Sequence, residues 1–288
     1  MPGTSAVVRQ GHLDRELLKL LPRVLRARDF HLYMEGGKRL TDLWLNGGKA
    51  ILGHKPPGFL KELKNTAQRG LFSPLPGPLE RRILKALEEI FPGRAFRLYP
   101  DESSLYRALE KAALQEPAIQ ALLEPGISLW RPFLEGAAGE GGKGPLNKAP
   151  LLIPVLPWPL GPAVLVLDRD TEFPAGEIIP PVILAPAIRS LYELIKAMKE
   201  KIPRPMKIEK ALKNSNWQRK GIYLFTSEQG EETEPGAGVS EAYAALWKYF
   251  LEGGFLLPPS PAEPAILPMS MSPGEEAKLA KLIGGEKN

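Results

Sequence analysis

Two short acidic runs in this chain follow apolar stretches and carry side chains that could do chemistry. Asp168 and Asp170 follow the apolar stretch Ala163–Leu167, and paired carboxylates can divide general acid and general base work. Asp101-Glu102-Ser103-Ser104 follows the stretch Ala95–Tyr99 and precedes a helical pattern. There Asp101 or a serine can cap the helix by accepting from one of its free N–H groups. The sequence has no cysteine, which removes disulfides, thiolate nucleophiles and Cys-ligated metal. The histidines, His12, His31 and His54, show no metal-ligand spacing, so no metal site is expected.

The elements that must position these groups read as α/β. Leu13–Arg28 has a helical period that Pro22 should kink or end early. A hairpin follows, with Phe30–Met34 and Arg39–Leu45 joined through Gly36-Gly37. Helices are expected over Pro57–Arg69, Leu79–Phe91 and Leu105–Leu114, with the strand Ala95–Tyr99 between the last two. Gly136–Gly144 reads as a loop. Leu151–Leu156 and Ala163–Leu167 read as central strands joined by a turn, and Ile183–Lys201 as a long helix. Pro203-Arg204-Pro205 marks a boundary. Beyond it are expected a strand over Gly221–Phe225, a helix over Ser240–Glu252, a strand at Phe255 and a capped helix from Ser272. The pattern ends in a small α+β module.

At 288 residues and 43% hydrophobic content the chain can bury a substantial core. Its net charge of +5 is spread out. Lys19, Arg23, Arg26 and Arg28 form one basic group; Lys207, Lys210, Lys213, Arg219 and Lys220 form a looser one. Neither is a concentrated stripe interleaved with aromatics, so they read as solvated faces and no nucleic-acid partner is expected. No secretory h-region and no bilayer-length apolar run is read, so a cytoplasmic protein without membrane contact is expected.

Two stretches carry a resemblance. Glu35-Gly-Gly-Lys-Arg-Leu-Thr-Asp-Leu-Trp-Leu-Asn-Gly-Gly-Lys-Ala-Ile-Leu-Gly-His-Lys-Pro-Pro57 resembles the signature of the class III aminotransferases, the glutamate-1-semialdehyde type that uses pyridoxal phosphate (PLP). Ile222–Thr226, the helix with Tyr243, Trp247, Tyr249 and Phe250, and Leu251–Ser260 resemble that family's small domain. The resemblance implies a reduced PLP-dependent transferase-like large α/β domain with a small α+β domain built from both chain ends. The division it suggests is 1–70, packing with the small domain, 71–203 as the reduced large domain, and 204–288 as the small domain.

The resemblance also implies where a cofactor would sit, and the sequence departs from it there. The family's phosphate-binding turn aligns with Pro100–Tyr106, where Asp101 and Glu102 replace a serine and a glycine. Two carboxylates then stand where a dianionic phosphate must sit, a repulsion of about a few kcal/mol at intermediate dielectric. Ser103 alone keeps a phosphate-type donor. Phe133 or Trp130 stands near the position of the ring-stacking aromatic, without the family's histidine and second glycine. Asp168 takes the form of the aspartate that pairs with the pyridinium nitrogen. The cofactor-binding candidates are thus Ser103, Phe133 and Asp168. The Schiff-base lysine has no counterpart between Asp168 and Lys196, while Lys143 and Lys148 come before Asp168. Without that lysine the covalent relay cannot form.

These readings lead to a catalytically inactive pseudoenzyme, with no catalytic residues and no cofactor. It is expected to be a homodimeric scaffold or a binder of a small amine-bearing ligand, using a cleft near Glu102, Ser103, Trp130 and Asp168. The alternative is a PLP-dependent aminotransferase or aminomutase with a rearranged active site. A third reading is general acid–base chemistry at Asp168 and Asp170.

Overall fold

A computed structural model of the chain describes residues 15–123, 127–134, 149–158, 161–200, 205–226 and 240–285. These divide into two compact units. One is Pro56–Lys199; the other combines the described residues of Gly11–Lys55 and Glu200–Asn288. The helix after Pro56 belongs to the first unit. Among the described residues no helix is long and apolar enough to cross a membrane.

In the first unit a four-stranded sheet is covered on both faces. Its strands are β4 (Arg94–Tyr99), β5 (Ser128–Trp130), β6 (Leu151–Pro154) and β7 (Ala163–Asp168), in the order β4-β7-β6-β5. β7 runs antiparallel to both neighbours, while β5 and β6 are parallel. β4, β5 and β6 therefore point one way and β7 the other. Ala163, Leu165 and Leu167 of β7 join Leu151 and Ile153 of β6 in one buried cluster. Leu105, Leu109 and Ala112 of α4 (Glu102–Gln115) and Ile119 and Leu123 of α5 (Pro117–Leu123) complete it. Alternation along a strand sends Val164, Val166 and Leu152 to the opposite face, and these too are buried. Three further helices make up the unit: α2 (Phe59–Gln68), α3 (Pro78–Ile90) and α6 (Pro181–Lys199), with α2 and α3 both packed on α6.

The sequence accounts for the stops. Gly70, with φ +69°, and Gly93, with φ +76°, adopt the left-handed conformation just past α2 and α3. β4 is an edge strand, and the segment after β7 covers it: the Arg97 guanidinium donates to the carbonyls of Phe173 and Pro174, and Glu177 N–H donates to Leu98 O at 2.8 Å.

In the second unit both chain ends build one sheet. β1 (Val24–Arg28), β2 (His31–Met34) and β3 (Arg39–Asp42) form an antiparallel meander, and β10 (Phe255–Leu256) pairs parallel to β3. A second sheet, in the order β11-β9-β8, joins β8 (Trp217–Lys220), β9 (Tyr223–Thr226) and β11 (Ala265–Ile266). α8 (Glu241–Glu252) buries Tyr243, Trp247 and Phe250. Their polar atoms find partners: Tyr243 donates to Pro258 O at 2.8 Å and the Trp247 indole to Leu257 O at 3.1 Å. α7 (Met206–Leu212) packs on α9 (Pro273–Ile283), which opens on the expected capping box of Ser272 and Glu275.

Two readings change. The helix expected over Leu13–Arg28 is one turn, α1 (Arg15–Leu18), and 24–28 form β1 instead. Pro22 interrupts the helix, and pairing with the adjacent hairpin strand overrides the apolar period. The elements α5, α7, β8 and β11 were not anticipated; they are short and carry too few residues for a period to show. The loop expected at Gly136–Gly144 lies outside the described residues, as do Lys143 and Lys148.

Candidate functional site

The turn between β4 and α4 is the position at which the resemblance places a phosphate. Asp101 there has extended backbone, and its carboxylate accepts from Ser104 N–H at 2.7 Å. Leu105 N–H goes to Asp101 O at 3.2 Å. An internal carboxylate thus takes up a helix N–H that an external anion would need, and adds a negative charge at the positive end of the helix dipole. Of the two capping candidates, aspartate or serine, Asp101 is the one used. Ser103 and Glu102 are exposed, and Ser104 is buried.

The cation nearest in sequence, Arg107, turns back on its own helix, donating to Ser104 Oγ at 3.1 Å and Ser103 O at 3.4 Å. Two phenols flank the turn. Burial pushes the Tyr99 hydroxyl above its ordinary pKa, against Arg97 and with a smaller push from Glu177. Burial and then the Glu102 charge push Tyr106 up to about 12. Both phenols are therefore neutral near pH 7. The Asp101 and Glu102 carboxylates at this turn oppose a phosphate dianion, while the Arg107 cation beside them is engaged by Ser104 Oγ and Ser103 O.

Asp168 lies elsewhere. In the β4–β7 register Tyr99 pairs with Ala163, whereas Asp168 pairs with Arg94. Five residues of strand, roughly 17 Å, separate Asp168 from the level of Tyr99. Its carboxylate binds the Arg94 guanidinium at 2.6 Å, and its carbonyl accepts from Thr171 N–H in a turn. The sequence placed Asp168 correctly at the C-terminal end of its strand. The strand is antiparallel, so that end is the far edge of the sheet.

Phe133 follows β5 with a φ of +63° and is half-buried. β5 is parallel to β4, so Phe133 shares the sheet end of Ser103, but three strand spacings, roughly 14 Å, separate those strands. Trp130 is core: it is 3% exposed and meets Phe91 edge-on, with ring centroids 4.9 Å apart. The expected cleft of Glu102, Ser103, Trp130 and Asp168 is therefore not one cleft. Asp168 and Asp170 are both exposed and Asp168 is held by Arg94, so no convergent acid pair forms.

Among the described residues of this unit, Lys61, Lys64, Lys85, Lys111, Lys196 and Lys199 are all exposed. A Schiff-base lysine must instead be enclosed against its cofactor. Among the described residues, Asp101 takes up an α4 N–H that a phosphate would need, Asp168 lies at the opposite end of the sheet from Tyr99, and these lysines are exposed. Among the described residues no group of three His, Asp or Glu side chains is arranged to hold a metal.

The signature-like segment, by contrast, is well ordered in the second unit. Asp42 is 1% exposed; its carboxylate accepts from Trp44 N–H at 2.8 Å and Leu45 N–H at 2.9 Å, and meets His54 Nε2 at 2.9 Å. Gly53, with φ +89°, lies so close to Asp29 that a Cβ would stand 3.1 Å from its carbonyl oxygen. The Trp44 indole donates to Glu263 at 2.7 Å. His31 Nε2 meets Glu275 Oε1 at 2.7 Å, and Arg39 donates to the same oxygen at 3.1 Å. Sequence reasoning missed Asp42, Glu263 and Glu275 as partners. Asp42 carried a local signal, two residues before a tight turn, and Glu275 carried one only for its capping-box role.

No family model matches the chain. An uncharacterized protein of Treponema pallidum is 29% identical over 181 residues, 63% of this chain and 56% of that relative, so the match spans little more than half of the relative's length. Glutamate-1-semialdehyde 2,1-aminomutase of Thermus thermophilus is 31% identical over 71 residues, 25% of this chain and 17% of the enzyme. Among solved structures, ornithine delta-aminotransferase of Plasmodium falciparum superposes with a TM-score of 0.61 at 11% identity, covering 92% of each chain. A transaminase with PLP bound gives 0.60 at 14% identity, covering 95% of each. The chain has the fold of the PLP-dependent aminotransferases, as the resemblance implied.

Proposed function

We propose that this chain is a shortened class III aminotransferase relative that has given up PLP chemistry and serves as a homodimeric scaffold. The observation that carries the reading is the Asp101 cap, whose carboxylate accepts from the Ser104 N–H at the start of α4. A carboxylate in that place is neither a phosphate ligand nor a neutral spectator; it competes for the same N–H group with the same sign of charge. The far-edge position of Asp168 and the exposed lysines support it. The partial match to an aminomutase supports the line of descent. Asp42 and its partners supply a reason for keeping the signature segment once chemistry is gone: it closes the turns that join the two chain ends.

The test pairs an activity with an assembly measurement. The purified chain is incubated with PLP and a panel of amine donors, and formation of pyridoxamine phosphate is followed against free PLP. Analytical ultracentrifugation of the same sample gives the mass. The expected result is a dimer with no conversion above the free-cofactor background. Protein-dependent conversion with a defined donor would instead establish the rearranged aminotransferase or aminomutase, and a monomer at all concentrations would remove the dimeric scaffold.

A further inference from the structure

We propose that the open edge of β1 is a docking site for an extended acidic polypeptide segment, taken up as an additional strand. The inference stands independently of the cofactor reading. Among the described residues β1 lies at the end of the sheet order β1-β2-β3-β10, and all five of its residues are exposed. An uncovered edge presents backbone N–H and C=O groups ready to pair with another chain. Beside them stand unusually exposed apolar side chains: Val24 at 46%, Leu25 at 68% and, just before the strand, Leu20 at 47%.

The charge along this edge selects the occupant. Arg23, Arg26 and Arg28 are all exposed. Arg26 Cζ lies over the Tyr33 ring, 4.2 Å from its centroid, a cation–π contact that holds the guanidinium beside this strand. Arg28 reaches Asp29 only at 3.5 Å, and both are more than 60% exposed, a weak pair that a better acceptor displaces. The other acid on this hairpin, Glu35, is exposed and uses its backbone N–H to bond Arg23 O.

A second copy is disfavoured as the partner. Antiparallel pairing of two β1 strands about Arg26 sets guanidinium against guanidinium, and like charges directly opposite are destabilising. The register irregularity between Val24 and Arg26 further distorts the edge for self-pairing. A nucleic acid would meet the arginines but leave the strand's backbone groups and Val24 and Leu25 unmatched. A segment alternating acidic and apolar residues meets all three, because side chains alternate with period two.

The experiment uses the full chain and a fluorescein-labelled alternating Val-Glu peptide of roughly eight residues, a typical strand length, read by fluorescence anisotropy. A Pro-Glu peptide of equal length and charge cannot donate along a ladder at its prolines; an oligothymidylate supplies charge without a peptide backbone. The expected result is saturable binding of the Val-Glu peptide, with both controls at least about tenfold weaker. The variant R26E/R28E is expected to lose about tenfold or more, since cross-strand charge then opposes the peptide. Absence of Val-Glu binding, equal binding of either control, or an unaffected R26E/R28E variant each overturns the proposal. The peptide comparisons on the unaltered chain decide the matter even if that variant folds poorly.

Discussion

Glu275 shows how one carboxylate can hold several parts of the second unit. One oxygen accepts from His31 and Arg39, and the other from the Ser272 N–H and hydroxyl at the start of α9. Burial alone would push its pKa up, but the Ser272 hydrogen bonds and the His31 contact outweigh that and hold it at about 2, against 4.5 when unperturbed. Folding thus lowers this pKa, so the contribution is complete above about pH 4.5 and fades as pH falls toward 2. Replacing Glu275 with Gln is expected to lower stability by about 1–3 kcal/mol at pH 7, with the gap closing toward pH 2. Urea unfolding of both proteins across that range checks it; a gap that is constant with pH contradicts the assignment. The capping box was legible because its two residues are three apart. The bonds to His31 and Arg39 were not, because these residues lie 244 and 236 positions away in sequence.

At the scale of elements, the direction of β7 decides the fate of the site. The sequence offered an apolar strand ending in Asp168, and both features are present. Its direction was also readable. Only the eight residues 155–162 separate β6 from β7, whereas a parallel crossover needs a dozen or more. That short link forces a hairpin and sends Asp168 to the edge away from Ser103. β1 was less legible, since Leu17, Leu20, Leu21, Val24 and Leu25 satisfy a helical period and only the pairing with β2 settles the conformation.

Two element-scale outcomes follow from the contacts. Asp101→Ala removes the α4 cap and should cost about 1 kcal/mol, with Asp101→Asn keeping most of it; thermal unfolding of the three proteins measures this. Gly176→Ala is expected to cost about 2–4 kcal/mol, because an added Cβ would stand 2.5 Å from Leu98 O and 2.7 Å from Leu98 N. Both obstacles are backbone, so a side-chain rotation cannot relieve them, and the edge cover of β4 must shift. Near-native stability of Gly176→Ala in the same measurement would contradict that packing.

For the whole molecule, the chain keeps the two-part plan of the aminotransferase fold while its parts have changed unequally. The second unit retains the interlocked chain ends, with β10 paired to β3 and Asp42 closing the signature turn. The first unit retains a covered sheet of four strands, with a self-capped helix where an anion cup would be. This asymmetry is why the fold was readable from the two ends of the sequence and the function was not readable from the middle. Motifs that close turns demand particular residues at particular positions, whereas a contact surface makes no such local demand.

The proposed function requires the fold to persist without the covalent cofactor link. The most direct measurement is the absorbance of the full chain after equilibration with PLP, followed by borohydride reduction and peptide mass mapping. The account predicts a colourless protein in which no single lysine gains a stoichiometric pyridoxyl group. A yellow protein with one lysine trapped in full would contradict it.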